Sequence, residues 1–260
     1  MQPDLLRVSR VPAVLLWILL SPVPAHAVGP NNTLNDTGID WFADDGNNNL
    51  PIEPATHPGQ DGGIGRDAAA KAGILTKVGS GSKGFDFTKI ANDGTELPAT
   101  AALGTNAKDW ACTRDNVTGL MWEVKTTSGL RSQSHSYTWY NSDATKNGGS
   151  AGTVSGGTCF ATGRCDTAKY VADVNASGLC GHNDWLMPAR NELLSIADLG
   201  RTNPTIDTGW FPNTPASVFW SASAYAGDSS LAWFVSFDYG YARYFNKSIS
   251  ILARLVRAGQ

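Results

Sequence analysis

The sequence predicts an α+β domain, in which two helices are segregated from a small antiparallel sheet, preceded by an extended and loop-rich leader. Hydrophobic residues make up 42% of the 260-residue chain, enough for a globular core, whereas charged residues make up 17%. Gly, Asn, Asp and Pro are frequent in residues 28–105, and a strand, two helices and several strands follow in residues 106–260. With residues 1–27 interpreted as a signal peptide, the chain divides into three segments.

The first segment, residues 1–27, has the pattern of a secretory signal peptide. Arg7 and Arg10 precede an apolar run over residues 11–20, and Ala25-His26-Ala27 has the A-x-A form of a cleavage site. The run is too short to cross the ~30 Å hydrocarbon core comfortably, which disfavours a membrane anchor, and we find no later segment that could span. Cleavage near Ala27 would yield a secreted, periplasmic or cell-surface protein.

The leader, residues 28–105, contains little that could form a core alone. Residues 31–38 and 44–49 are rich in turn-forming Asn, Asp and Gly. Residues 84–90 and 95–97 have strand character and are separated by the turn sequence Ala-Asn-Asp-Gly. We therefore expect the leader to pack on the following domain or to form a stalk.

The elements of the domain begin with a short buried strand over residues 120–124. Asp166 can cap a helix that ends near Gly178, and this helix would place Tyr170, Val171 and Val174 on one face. Pro188 can open a second helix over residues 189–199, with Gly200 as its stop.

The C-terminal part, from residue 219 to residue 257, has strand character interrupted by Gly227 and Gly240. Apolar and polar residues alternate there with the period of two that is typical of a strand with one buried face. The residues that fit the buried face are Trp220, Trp233, Val235 and Phe237.

The chain has four cysteines, all beyond the predicted cleavage site. An even number in an exported protein favours disulfides, and four cysteines allow three connectivities. The tight, Gly-containing loop between Cys159 and Cys165 favours a local pair, which leaves Cys112 with Cys180. A zinc site is disfavoured because the spacing is not C-x-x-C, and a cysteine nucleophile has no assignable partner.

Several motifs occur in one order from residue 110 to the C terminus. They are DNVTGLMWE (115–123), GLCGHNDW (178–185), PARNEL (188–193), FPN (211–213), WS (220–221) and RLVR (254–257). This set resembles the Lcl C-terminal domain family, also called DUF1566, whose name comes from a collagen-like adhesin. The resemblance implies a C-type-lectin-like fold, near the formylglycine-generating-enzyme-like domains, in which the first and last strands pair. Ala189 departs from the family pattern and lacks a helix-capping hydroxyl, which is a local matter of stability.

The resemblance does not bring an enzymatic activity with it. Formylglycine-generating enzymes use cysteines late in the chain, and no cysteine follows Cys180. Paired carboxylates could act as acid and base, but without a partner motif they are better explained as turn and strand-edge residues. The scattered histidines are better explained as surface or hydrogen-bonding residues. The carboxylates and histidines concerned are Asp109, Asp115, Glu123, His57, His135 and His182.

No cofactor is expected, and calcium is the one metal that the resemblance suggests. Asp184 beside Trp185 is loosely similar to a lectin calcium motif. No paired set of further carboxylate or amide ligands accompanies it, so the calcium hypothesis rests on that residue alone.

Aromatic residues are concentrated near the C terminus, where ten of the 25 lie between Phe219 and Phe245. Tyrosines mixed with small polar residues are typical of paratopes, because rigid amphipathic rings provide contact area at low entropic cost. An ordinary Tyr-rich sheet face is the alternative. We predict a ligand-binding face formed or flanked by Tyr225, Asp228, Ser230, Leu231, Phe234, Ser236, Asp238, Tyr239, Tyr241, Ala242, Tyr244, Phe245, Asn246, Ser248, Ser250 and Ile251.

The amino-acid types in this stretch have a further regularity. Some positions between Ala224 and Leu252 are expected to form a constant scaffold. Every other position in this stretch holds a residue that an Asn AAC codon can reach by changing adenines only. Trp233 and Lys247 cannot be reached in this way. This pattern resembles the variable regions of proteins diversified by retroelements, whose target domains include C-type-lectin-like folds.

Three functional hypotheses follow. The first is a non-enzymatic binding module for a protein or glycan, with oligomerisation left open. The second is an adhesin of the Lcl kind that binds sulfated polysaccharide through Arg243, Lys247, Arg254 and Arg257, although the last two more simply anchor the final strand. The third is an enzyme of unknown type, related to the formylglycine-generating-like folds. Removal of the predicted signal peptide changes the net charge from −3 to −4, and this acidity argues against binding nucleic acid.

Overall fold

The computed structural model describes residues 34–258, so the predicted signal peptide lies outside the described residues. Three helices and several antiparallel sheets agree with the predicted α+β class. No helix within residues 34–258 is long and apolar enough to cross a bilayer. The elements are, in chain order, α1 (Gly65–Lys71), β1 (Phe87–Ala91), β2 (Glu96–Leu97), β3 (Trp110–Asp115), β4 (Leu120–Glu123), β5 (Tyr137–Thr138), α2 (Thr167–Ser177), α3 (Arg190–Leu194), β6 (Val218–Ala224), β7 (Leu231–Ser236), β8 (Tyr241–Asn246), β9 (Ser250–Ile251) and β10 (Val256–Ala258).

The largest sheet has the strand order β10-β4-β3-β1-β2, and all its neighbouring strands are antiparallel. Trp122 of β4 lies opposite Val256 of β10, so the first strand predicted in the domain does pair with the last. The strand, turn and strand predicted in the leader are β1 and β2. The leader therefore contributes two of the five strands, and its Phe85 and Phe87 share one core cluster with Trp122.

Helix α2 begins and ends as the sequence predicts. The Asp166 carboxylate accepts a hydrogen bond from the backbone N–H of Lys169 (2.9 Å), which satisfies a donor of the first turn. Gly178 ends the helix in the left-handed conformation (φ 64°), which glycine adopts without steric cost. Tyr170 and Val174 are buried against the core.

Helix α3 ends at Leu194, five residues before the predicted end at residue 199. A longer helix would join the N–H of Leu199 to the carbonyl of Ser195. Instead, the Ser195 carbonyl accepts from the Asn35 side chain (3.0 Å), and the Leu199 N–H donates to the Thr37 carbonyl (2.7 Å). Hydrogen bonds to the leader thus occupy the Ser195 carbonyl and the Leu199 N–H, which the next helical turn would need to pair with each other.

A second sheet has the order β6-β7-β8 and is buried on both faces of its central strand. Val235 and the following Phe237 lie in the main core cluster, whereas Phe234 lies in a separate cluster with Trp139 and Trp220. The prediction of a single buried face was therefore wrong. Trp233 shares the face of Val235 but is only half-buried, and its ring packs against Tyr225 and Tyr244 outside the core clusters.

The two disulfides join Cys112 with Cys180 and Cys159 with Cys165, as the sequence predicted. The first bridge ties β3 to the turn after α2. The second closes a short loop between β5 and α2. No cysteine within residues 34–258 is free, and these bridges are compatible with an extracellular protein.

A buried ionic network holds the segment before β10. The Lys125 ammonium lies 3.0 Å from a Glu123 oxygen and 3.0 Å from the Tyr170 hydroxyl, and all three side chains are buried. The other Glu123 oxygen accepts from the N–H of Leu255 (2.9 Å). Burial lowers the pKa of Lys125, while the negative charge of Glu123 opposes this shift.

Candidate ligand-binding surface

Strand β8 forms one edge of the three-stranded sheet and carries five of the sixteen predicted binding residues. It pairs with β7 in an unbroken register, from Leu231 opposite Asn246 to Ser236 opposite Tyr241. The side chains of Tyr241, Tyr244 and Phe245 are 45%, 38% and 38% exposed. Large aromatic groups concentrated on one exposed strand are typical of an interaction surface.

On one face of the three-stranded sheet, three rings form what we call the tyrosine ledge. They are Tyr225, which follows β6, Trp233 of β7 and Tyr244 of β8. Tyr225 and Tyr244 stack with a centroid separation of 4.2 Å, and both meet the Trp233 ring edge-on, at 5.6 and 5.7 Å. The guanidinium of Arg190, from the start of α3, lies 4.6 Å from the Trp233 ring centroid. This cation–π contact and the ring packing hold the ledge in one arrangement.

The opposite face of β8 carries a second pair of rings. Phe245 stacks on the buried Phe234 at 4.3 Å, and Tyr241 meets Phe234 edge-on at 6.3 Å. Arg243 lies directly opposite Phe234 in the register and is exposed. The Arg243 guanidinium has no hydrogen-bond or ion-pair partner among residues 34–258.

Small polar residues surround the rings and form local turns. The Asp228 carboxylate accepts from the N–H and hydroxyl of Ser230 (both 2.8 Å), and the backbone contact in particular holds its pKa below the ordinary value. The Asn246 side chain accepts from the N–H (3.0 Å) and hydroxyl (2.7 Å) of Ser248. These turns hold a rim of small polar residues around the rings, and none of their hydrogen bonds comes from a lysine or arginine.

Lys247 connects this surface to the loop that contains Asn147 and Ser150. Its ammonium donates to the carbonyls of Asn147, Ser150 and Ser229 at 2.7–2.8 Å and lies 4.3 Å from the Trp139 ring centroid. Three satisfied hydrogen bonds compensate for the burial of the charge. Lys247 is therefore a structural residue.

The sixteen predicted residues fall into three groups by exposure. The exposed group is Asp228, Tyr239, Tyr241, Tyr244, Phe245, Asn246 and Ser248. The half-buried group is Tyr225, Ser230, Leu231, Asp238, Ala242 and Ser250.

Phe234, Ser236 and Ile251 are buried, so these three predicted residues flank the exposed face and do not form it. Phe234 and Ile251 pack in the cluster around Trp220, and the Ser236 hydroxyl accepts from the N–H of Asp238 (3.2 Å). Phe234 supports the rings of Tyr241 and Phe245 from below.

The cations proposed for sulfated polysaccharide are mostly inaccessible. Lys247, Arg254 and Arg257 are all buried, and of the four candidates only Arg243 faces solvent. Arg254 lies 5.1 Å from the Phe211 ring, and burial lowers its pKa to about 10. Arg254 and Arg257 therefore anchor the C-terminal strand region, a role that suits the forked arrangement of donors in a guanidinium group.

The carboxylates and histidines considered for catalysis do not converge on one site. Glu123 belongs to the buried network, and Asp115 accepts from the N–H groups of Val117 and Thr118 in a tight turn. Asp109 is bound by Asn106, and His57 pairs with the exposed Asp45. The remaining two histidines lie apart: His135 contacts the Leu130 carbonyl, and His182 has a pKa lowered by burial.

The residue considered for calcium is engaged in an ion pair. Asp184 forms a two-point contact with Arg257, at 2.7 and 3.1 Å. Hydrogen bonding to this guanidinium lowers the pKa of Asp184. No group of three or more His, Cys, Asp or Glu residues that could hold a metal ion occurs in residues 34–258.

Two features near the ledge were not predicted from the sequence. One is Arg190, whose place over Trp233 depends on how α3 packs on the sheet. The other is a cavity of about 500 Å³ between α2, α3 and β6, lined by residues that include Val171, Met187, Glu192 and Ser223. Ser223 accepts a hydrogen bond from the N–H of Arg190 (3.1 Å), so the cavity borders the ledge. Neither follows from spacing, because each depends on segments distant in sequence.

A protein-family model matches the C-terminal part of the chain. The model described as the Lcl C-terminal domain matches residues 111–257, which is more than half of the chain. No curated protein and no solved structure matches the chain. The family match confirms the resemblance inferred from the ordered motifs.

Proposed function

Because the chain belongs to the Lcl C-terminal domain family, we propose that it is an exported, non-enzymatic module that binds a protein or glycan through β8 and the tyrosine ledge. The observation that carries this proposal is the exposure of Tyr241, Tyr244 and Phe245 on a single edge strand. The disulfides and the absence of a described membrane-spanning helix are compatible with export.

The chemistry of the surface supports binding. The hydroxyl groups of Tyr241 and Tyr244 make no hydrogen bond with any residue in 34–258, so they remain available to a ligand. Each ring is held by neighbouring aromatic groups, which lowers the entropy lost on binding. Tyrosine and arginine are also the residue types that dominate binding energies at protein interfaces.

The test is a binding screen of residues 28–260 against a glycan array and a panel of displayed proteins. Tyr244→Ala and Tyr241→Ala should each weaken any recovered interaction at least tenfold, the loss typical of a central aromatic residue. Phe160→Ala is the matched control, since Phe160 is 65% exposed in the Cys159–Cys165 loop, outside the candidate surface. Equal losses in all three variants, or binding unaffected by the tyrosine variants, would refute this surface assignment.

Apart from Trp233, which an AAC codon cannot reach, the same surface is the part that a retroelement would diversify under this proposal. The exposed positions of β8 belong to the set reachable from AAC codons, while the unreachable Lys247 is buried as scaffold. The test is the genomic neighbourhood. A near-identical template repeat and a reverse-transcriptase gene close downstream are expected, and their absence would refute diversification.

An adhesin that binds sulfated polysaccharide is the alternative that the resemblance of the motifs implies. Its electrostatic basis is weak, because of the four candidate cations only Arg243 faces solvent. Retention of the protein on immobilised heparin, released by salt and lost in Arg243→Ala, would favour this alternative. An enzyme of unknown type has no comparable supporting observation within residues 34–258.

A further inference from the structure

The free edge of β8 carries an inference that rests on the proposed function and names the kind of ligand. We propose that β8 accepts an extended, acidic segment of a partner protein, which adds to the sheet as a fourth strand beyond β8. Such strand addition combines main-chain hydrogen bonds with contacts to alternate side chains.

The first argument concerns the backbone. Lys247 donates its N–H to the Ser230 carbonyl, which continues the β7–β8 ladder by one residue. In an antiparallel ladder, every second residue bonds to the neighbouring strand and the others point their N–H and C=O groups away. By this alternation, Ala242 and Tyr244 direct their backbone groups outward, and no strand among residues 34–258 pairs with them.

The second argument concerns the regularity of the edge. Protein edges are commonly protected by bulges, prolines, inward-pointing charges or short strands. The β7–β8 register has no irregularity, whereas the β6–β7 register is interrupted between Trp220 and Ala224. β8 contains no proline, and its six residues extend about 20 Å. This edge is regular and contains neither a proline nor a bulge, so it is suited to pairing with a strand of opposite charge.

The third argument concerns the two faces of an added strand. Its side chains would alternate between the tyrosine ledge on one face and the rings of Tyr241 and Phe245 on the other. Each face also offers one guanidinium: Arg190 over the ledge and Arg243 beside Phe245. Neither arginine forms a salt bridge within residues 34–258. Carboxylates on the incoming segment would pair with these two charges, which makes an acidic segment the favoured occupant.

The same charges disfavour a second copy of this chain at this edge. Two antiparallel β8 strands would bring together four arginines. The nearby carboxylate of Asp228 is committed to its own turn with Ser230. Like charges collected at one edge are destabilising.

The experiment selects binders to residues 28–260 from a display library of random dodecapeptides and measures the affinity of the selected peptides. Ala242→Pro removes one outward N–H without removing a bond to β7, and proline is tolerated at such edge positions. We expect Ala242→Pro to weaken peptide binding at least tenfold, and Ala242→Val, which keeps the N–H, by less than threefold. Arg243→Glu should also weaken binding at least tenfold and reverse the preference for acidic peptides.

A second measurement does not depend on how the variants fold. N-methylation of alternate peptide amides should abolish binding, while methylation of the intervening amides should not. Binding should also protect the Tyr244 amide from hydrogen exchange. Selection of no peptide, peptides insensitive to Ala242→Pro and to the methylation pattern, or self-association of the chain that Ala242→Pro abolishes would each overturn strand addition. If Tyr244→Ala still abolishes binding of a glycan or protein that Ala242→Pro leaves intact, the proposed function stands and only strand addition fails.

Discussion

The two disulfides should differ in their effect on stability, and the difference can be worked from the chain lengths they enclose. Cys112–Cys180 closes a loop with a sequence separation of 68, whereas Cys159–Cys165 closes one of 6. The loop-closure entropy removed from the unfolded chain corresponds to about 4 kcal/mol for the long loop and about 2 kcal/mol for the short one. Cys112 and Cys180 are also fully buried, so their replacement adds a packing loss in the same direction.

The assay is urea unfolding of residues 28–260 with both cysteines of one bridge changed to alanine. Removal of Cys112–Cys180 should lower the free energy of unfolding by about 4 kcal/mol or more, and removal of Cys159–Cys165 by about 2 kcal/mol or less. The Cys159–Cys165 variant serves as the control for loss of a bridge as such. Equal losses, or a larger loss for the short loop, would refute the loop-length reasoning.

Three further predictions concern buried charges. Lys125→Met should lower the free energy of unfolding by about 3–5 kcal/mol, because it leaves the Glu123 carboxylate buried without its cation. A loss below about 1 kcal/mol in urea unfolding would contradict the stabilising role of this ion pair. Burial raises the pKa of Asp115 from 3.8 to about 6, so the folded protein keeps a proton that the unfolded chain loses. This contribution is fully present below about pH 4 and is lost as the pH rises through about 6, by about 3 kcal/mol. Asp115→Asn should therefore flatten the fall in stability between pH 4 and 6, and an unchanged pH profile would exclude this assignment. Lys247→Met leaves three carbonyls without their donor. It should lower the free energy of unfolding by at least about 2 kcal/mol and speed proteolysis in residues 143–150. Wild-type resistance of that loop to proteolysis would count against the structural role given to Lys247.

The local elements were predictable where a short stretch of sequence contains all the necessary information. The ends of α2 follow from Asp166 as a cap and Gly178 as a left-handed stop, both of which act within one helical turn. The tight 159–165 loop likewise indicated its own disulfide. The exposed Tyr241 and Tyr244 were recognisable because their composition and irregular spacing do not fit a buried strand face.

The errors arose where distant segments compete for the same groups. The end of α3 depends on Asn35 and Thr37, more than 150 residues earlier, which bond to Ser195 and Leu199. Phe234 alternates like an outward residue, yet a second core cluster covers its face of β7. No periodicity within β7 could reveal that cluster.

The sequence by itself determined the family, the ends of α2 and the stretch that bears the exposed rings, because these properties are encoded in neighbouring residues. Only the tertiary structure decided which of the predicted residues reach solvent, that Arg190 lies over Trp233, and that β8 forms an unpaired edge. Burial and pairing depend on what packs against a residue from elsewhere in the chain, and that neighbour is absent from the local pattern.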